Sequence, residues 1–161
     1  MFDPELIQKA EAFLQSCRAK GVKIATAESC TGGLIAAVLT AIPGSSDVVD
    51  RGFITYSNAA KVNLLGVSPK DIDNLGAVSS SVAEQMASGC LARSNAQLAV
   101  AVTGVAGPGG GTDEKPVGLV YIATATSEEV IVEQHEFGDE TRDTIRRLTV
   151  IAALSQMKIR L

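Results

Sequence analysis

Ser29 and Cys30 lie in the stretch Thr26-Ala27-Glu28-Ser29-Cys30-Thr31-Gly32-Gly33, between a short apolar segment and an alanine-rich run from Leu34 to Ile42. A hydroxyl, a thiol and two glycines at a strand-to-helix handover suit chemistry on an anion or a carbonyl. The first backbone N–H groups of a helix lack intrahelical partners, and the macrodipole adds positive potential at the same place. Either side chain is a candidate nucleophile. Ser29 needs a base to take its proton, whereas Cys30 needs a thiol pKa lowered by the helix terminus.

The choice of base is narrow. The single histidine, His135, falls in the last strand candidate, far in sequence from the Ser29 turn, so a Ser-His-Asp site would require an edge strand to reach that turn. Lysine is the substitute, provided that burial lowers its pKa from ~10.4 by roughly 2–3 units. Lys61 stands in the small, apolar segment Ala59-Ala60-Lys61-Val62, and Tyr56 just before it could relay a proton or orient the amine. Composition alone leaves open the other reading, in which Lys61 is a solvated helix lysine and Tyr56 an edge aromatic. A working Ser-Lys pair requires Lys61 Nζ within about 3.2 Å of Ser29 Oγ, or one bridging water.

A second candidate segment is Thr103-Gly104-Val105-Ala106-Gly107-Pro108-Gly109-Gly110-Gly111-Thr112, whose five glycines follow an apolar run. Such a loop permits close backbone approach to a ligand, but it is neither a Walker A loop nor GxGxxG. Arg142 and Arg146, four apart, share a helix face and could grip a phosphate. Salt bridges to Asp139, Glu140 or Asp143 are the competing use.

These groups need a scaffold, and its elements are legible. Asp3-Pro4 starts a helix that Gly21 ends. Val22–Ala27 is a first strand and Gly52–Tyr56 a second. Ser57 caps a short helix closed by Gly66, Ser68-Pro69 opens another ended by Gly76, and Ser79–Ser94 is a longer helix. Leu98–Val102 is a continuous apolar run, the mark of a strand buried on both faces. Val117–Thr124 and Val130–Phe137 form an antiparallel hairpin, and Asp139 or Thr141 caps a final helix reaching Met157. Strands alternating with helices, then a hairpin, imply an α/β fold: a three-layer α/β/α sandwich with a mixed, mostly parallel sheet. The Ser29 turn, Tyr56 and Thr103 then all lie at carboxyl ends of strands, where open α/β sheets bind ligands.

The whole chain sets bounds. With 161 residues, 46% hydrophobic and 20% charged, a single domain over 1–161 is expected. A net charge of −4 without a Lys/Arg cluster disfavours nucleic acid as a partner. One His and three scattered Cys offer no closely spaced ligand pairs, so no metal and no cofactor is expected. No leader segment or membrane-length apolar run is seen, and unpaired cysteines fit a reducing compartment, so the expected location is cytoplasmic without membrane association. Exposed sheet edges and an alanine-rich helix suit a homo-oligomer.

Together the motifs resemble the CinA C-terminal domain family, whose stand-alone members are nicotinamide-nucleotide amidases of the PncC type. The matching pieces are Thr26–Gly33, Arg51-Gly52-Phe53-Ile54-Thr55-Tyr56-Ser57-Asn58-Ala59-Ala60-Lys61, Gly76-Ala77-Val78-Ser79, and Thr103–Gly111 with Lys115-Pro116-Val117-Gly118. Longer family members carry an extra N-terminal domain for which 161 residues leave no room. The resemblance implies hydrolysis of the carboxamide of nicotinamide mononucleotide, a small-molecule nucleotide substrate, to nicotinic acid mononucleotide and ammonia. By position, Ser29 is then the nucleophile, Lys61 its base, Tyr56 an assistant and Thr103 a contact of the reacting group. Substrate contacts fall to Cys30, Thr31, Gly32 and Gly33, with amides from Thr31 to Gly33 as oxyanion donors, to Gly104, Ala106 and Gly107, and to Arg142 and Arg146 for the phosphate. The alternative from another class is a non-catalytic nucleotide-binding or regulatory module linked to competence or DNA damage.

Overall fold

Asp3 accepts a hydrogen bond from the Leu6 amide and Pro4 occupies the first turn of α1, Pro4–Lys20, in a computed structural model that describes residues 2–161. Gly21 ends α1 in the left-handed region, and the Val22 amide returns to the Cys17 carbonyl. That closure uses up Val22, so β1 runs Ile24–Glu28, two residues later than the apolar pattern suggests. There follow α2, Leu34–Thr40, and β2, Val49–Ile54. β2 begins three residues before the expected strand and stops two short of Tyr56, because its partners on β1 run from Ile24↔Val49 to Glu28↔Ile54. Asp50 and Arg51 hid its start; an edge strand tolerates charges that an interior strand does not.

Ser57, Ser68, Ser79 and Thr141 cap α3 (Asn58–Leu65), α4 (Pro69–Leu75), α5 (Ser80–Ala92) and α6 (Arg142–Ile159), each accepting from the amide three residues on. Between α5 and α6 lie β3 (Leu98–Gly104), β4 (Leu119–Ala125) and β5 (Val130–Glu136). The strand order is β2-β1-β3-β4-β5. β1 pairs in parallel with β2 and β3, while β4 is antiparallel to β3 and β5. Four strands therefore point one way and only β4 the other, which gives the expected mixed, mostly parallel sheet.

The two faces of this sheet are packed differently. Leu98, Val100, Val102, Val120 and Ile122 join the apolar cluster of α1, α2 and α6. Ala25, Ala27, Ala99, Ala101, Ala123 and Ala125 face the cluster built by α5 with Leu65 and Ile72. Small residues on that second face let α5 lie close over β1, β3, β4 and β5. Gly89 of α5 continues the theme, since a Cβ there would overlap the Leu65 carbonyl at the end of α3. Gly89→Ala is expected to destabilise the fold by about 1–3 kcal/mol through overpacking, read as a lowered midpoint in urea. α3 carries Lys61, so this close crossing also sets where that lysine stands.

Candidate active site

The Ser29 turn is built by its neighbours. After β1 ends, the Ser29 amide still donates to the Val102 carbonyl at 3.1 Å, which keeps the turn in register with β3. Alternation carries Ser29 to the same face as Ala25 and Ala27, toward α3 and α5. Gly32 (φ 60°) and Gly33 (φ 99°) adopt left-handed conformations that reverse the chain into α2. Gly33 sits at the N-cap of α2 and has no side chain to cap it. Glu28, only 1% exposed, supplies the cap instead. Its Oε2 accepts from Thr31 Oγ1 (2.6 Å), Gly33 N (3.0 Å) and Ile35 N (3.0 Å), and its Oε1 from Ala36 N (2.9 Å) and Thr26 Oγ1 (3.4 Å).

The chain's own carboxylate thus occupies the positive helix start, and it does so on the face opposite Ser29. This redistributes the amides expected to serve an oxyanion. Gly32 N donates to the Ser29 carbonyl and Gly33 N to Glu28. Among the described residues, the Cys30 and Thr31 amides donate to no other residue, the Cys30 amide meeting only its own thiol. These two are the backbone amides following Ser29 that are not committed to another residue.

Lys61 comes to that hydroxyl from α3. Its Nζ lies 3.0 Å from Ser29 Oγ, 2.9 Å from the Thr55 carbonyl and 3.4 Å from the Tyr56 carbonyl. Lys61 is 1% exposed, and among the described residues no carboxylate reaches ion-pairing distance of it. Burial pulls its pKa below the ordinary lysine range, only partly countered by the nearby Cys30 thiol. The solvated-lysine reading fails on this burial. A neutral amine has two N–H bonds and one lone pair. In its charged form Nζ donates to both carbonyls and to Ser29 Oγ; once neutral, it keeps its N–H bonds on the two carbonyls and turns its lone pair to Ser29 Oγ–H.

The neighbouring candidates divide. Tyr56 reaches the lysine through its carbonyl alone; its ring is 62% exposed, and its phenol oxygen accepts from Arg142 at 3.1 Å. The chain leaves β2 at Ile54, so the ring projects outward rather than over the amine. Thr103 is buried on the Ser29 face at the end of β3, where its hydroxyl donates to the Ala77 carbonyl (2.9 Å) and holds the α4–α5 connection against the strand ends. Arg142 also donates to the Gly107 carbonyl (2.7 Å), and Arg146 to the Thr31 carbonyl (3.0 Å). Among the described residues neither arginine pairs with a carboxylate, so the alternative of salt bridges to Asp139, Glu140 or Asp143 is not what α6 adopts.

Not every expected contact gathers at the dyad. Gly104 is packed against β4, where a Cβ would overlap Val120, and Ala106 is buried in the α1/α2/α6 cluster. Gly107, with φ 75°, meets Arg142 only through its carbonyl. Cys30 belongs to the α1/α2/α6 cluster at 6% exposure, and burial, aided by the Glu28 charge, pushes its thiol up to about 12. His135 is on β5, separated from β1 by two strands, and stacked on Phe137. Glu28 was not among the sequence candidates; the missing local cap at Gly33 was the one signal that could have found it. Among the described residues, no group of His, Cys, Asp and Glu is arranged to hold a metal ion, and no helix is long and apolar enough to cross a membrane.

Comparison with known proteins covers nearly all of the chain. Nicotinamide-nucleotide amidohydrolase PncC of Escherichia coli K12 is 44% identical over 157 residues, spanning 98% of this chain and 95% of that protein. Other relatives are longer. The chain spans about a third of the length of the first curated relatives it matches, such as one from Caldicellulosiruptor saccharolyticus, 50% identical over 149 residues that make up 92% of this chain and 36% of that protein. Among solved structures, competence/damage inducible protein CihA from Agrobacterium tumefaciens superposes with a TM-score of 0.94 at 50% identity, covering 97% of this chain and 95% of that one. The CinA C-terminal domain model matches residues 7–161. By sequence, fold and extent, the chain belongs to the CinA C-terminal domain family.

Proposed function

We propose that the chain hydrolyses the carboxamide of nicotinamide mononucleotide to nicotinic acid mononucleotide and ammonia through a Ser29–Lys61 dyad. The observation that carries this reading is a buried lysine without a carboxylate partner, 3.0 Å from a hydroxyl at a strand-to-helix turn. The near full-length match to the E. coli amidohydrolase supports the choice of substrate. Neutral Lys61 takes the Ser29 proton as Oγ attacks the carboxamide carbon. The tetrahedral oxyanion faces the Cys30 and Thr31 amides, a kind of contact worth about 10²–10³ in rate for each donor. The Lys61 ammonium then protonates the departing nitrogen and ammonia leaves. Water attacks the acyl-Ser29 ester, passing its proton through Lys61, and the free acid is released.

Arg142 and Arg146 present guanidinium groups at the mouth of the same strand ends and are suited to the substrate phosphate. The same reading carries a cytoplasmic enzyme of pyridine-nucleotide salvage, with residues 1–161 as one catalytic unit. Homo-oligomer assembly is supported by Ile54 and Tyr56, 58% and 62% exposed beside the sheet edge. The test is ammonia release from nicotinamide mononucleotide by the purified protein. Binding without turnover at any pH from about 6 to 9 would instead favour the regulatory-module alternative. Arg142→Ala is expected to raise KM about tenfold with kcat little changed, because a phosphate contact is made equally in ground and transition states. Initial-rate kinetics with the mononucleotide and with the riboside separate the effect: the riboside should not respond to the substitution.

A further inference from the structure

We infer that Glu28 is a positioning residue for the nucleophile, holding the Ser29 turn by filling the amide cradle of α2 with its own carboxylate. The inference rests on the proposed amidase reading for its kinetic arm only. Five donors converge on this one side chain: the amides of Gly33, Ile35 and Ala36 and the hydroxyls of Thr26 and Thr31. Glu28 and Ser29 are consecutive and on opposite faces of the sheet. A side chain gripped on one face fixes the backbone from which the next side chain projects on the other. The grip also binds Thr31 and Gly33, so both ends of the segment carrying the open Cys30 and Thr31 amides are anchored to one group. Gly32 and Gly33 cannot stiffen this turn themselves, because left-handed glycines contribute freedom rather than rigidity.

The carboxylate also decides what cannot enter. Three N–H groups that would otherwise attract an anionic substrate group are already neutralised, so the phosphate is directed away from the α2 start and toward the guanidinium groups of α6. Within the Ser29 turn, only the amides needed by an oxyanion stay open.

The experiment compares wild type with Glu28→Gln in two readouts. One is the rate at which Ser29 is acylated by a fluorophosphonate or sulfonyl fluoride reagent, followed by intact mass with Ser29→Ala as blank. The other is the split of kcat and KM on nicotinamide mononucleotide. Glutamine keeps the size but sets an NH2 group against amide donors, so the grip loosens. The expected result is a fall of about 10²-fold in both acylation rate and kcat, with KM within about threefold, in protein that retains its circular dichroism. Folded Glu28→Gln protein with wild-type acylation and kcat overturns the inference. If wild type acylates in a Glu28-dependent way but releases no ammonia, the amidase reading fails and the positioning role stands. Should Glu28→Gln not fold, Thr31→Val removes a single donor at 2.6 Å. It is expected to slow acylation about fivefold, and an unchanged rate there overturns the inference as well.

Discussion

Ser29→Ala is expected to abolish ammonia release, with kcat falling by about 10⁴-fold or more while the mononucleotide still binds. The hydroxyl has no understudy. Cys30 is adjacent in sequence, yet its side chain belongs to the apolar cluster on the other face of the sheet, and burial holds its thiol protonated at neutral pH. Loss of the hydroxyl removes one of three hydrogen-bond partners of Lys61 and leaves the Thr55 and Tyr56 carbonyls in place. The stability loss should therefore stay near one hydrogen bond, about 0.5–1.5 kcal/mol. Calorimetric titration beside an ammonia assay checks both halves. An active Ser29→Ala protein alongside an inactive Cys30→Ala protein would transfer the nucleophile to the thiol.

Lys61→Met should separate activity from stability in opposite directions. Methionine fills a similar volume without an amine, so kcat is expected to fall by about 10²–10⁴-fold, the usual worth of a general base. The fold should become no weaker, because a buried amine without a carboxylate partner is costly to keep. The pH dependence carries the same signature. The neutral amine is the active form, so wild-type kcat/KM should rise with pH through the lowered Lys61 pKa and then level off. In the unfolded chain this lysine titrates near 10.5. Between the folded value and that value the unfolded state binds the extra proton, so wild-type stability rises with pH across the window. Thermal melts over a pH series should show this slope in wild type and not in Lys61→Met. A flat wild-type rate profile would remove Lys61 from the role of base.

The elements that position the dyad were open to sequence reasoning wherever the cause is local. Caps at Asp3, Ser57, Ser68 and Ser79 act over three residues, and each helix begins where its cap says. Ser29 and Lys61 could be paired by elimination, since one histidine on a remote strand left few bases. The start of β2 was hidden, because Asp50 and Arg51 are explained by an edge position that only the strand order reveals. Tyr56 meets the lysine through its carbonyl, and no side-chain pattern reports which backbone oxygen turns inward. Glu28 was invisible for a related reason. Its partners at 31, 33, 35 and 36 are backbone amides or a hydroxyl, brought together by two left-handed glycines rather than by any spacing of side chains.

The division of the site between the two faces of the sheet has an evolutionary reading. Ser29 and Lys61 are encoded within 33 consecutive positions, from 29 to 61, and meet on the α3/α5 face. The guanidinium groups come from α6, well apart from that segment in sequence, and approach from the opposite layer. On the proposed reading, a substitution at Arg142 alters how the substrate is held from outside the Ser29–Lys61 pair, whereas Arg146 also holds the Thr31 carbonyl of the nucleophile turn. Within that reading, specificity can change at the Arg142 end of α6 while the contact between Ser29 and Lys61 is kept.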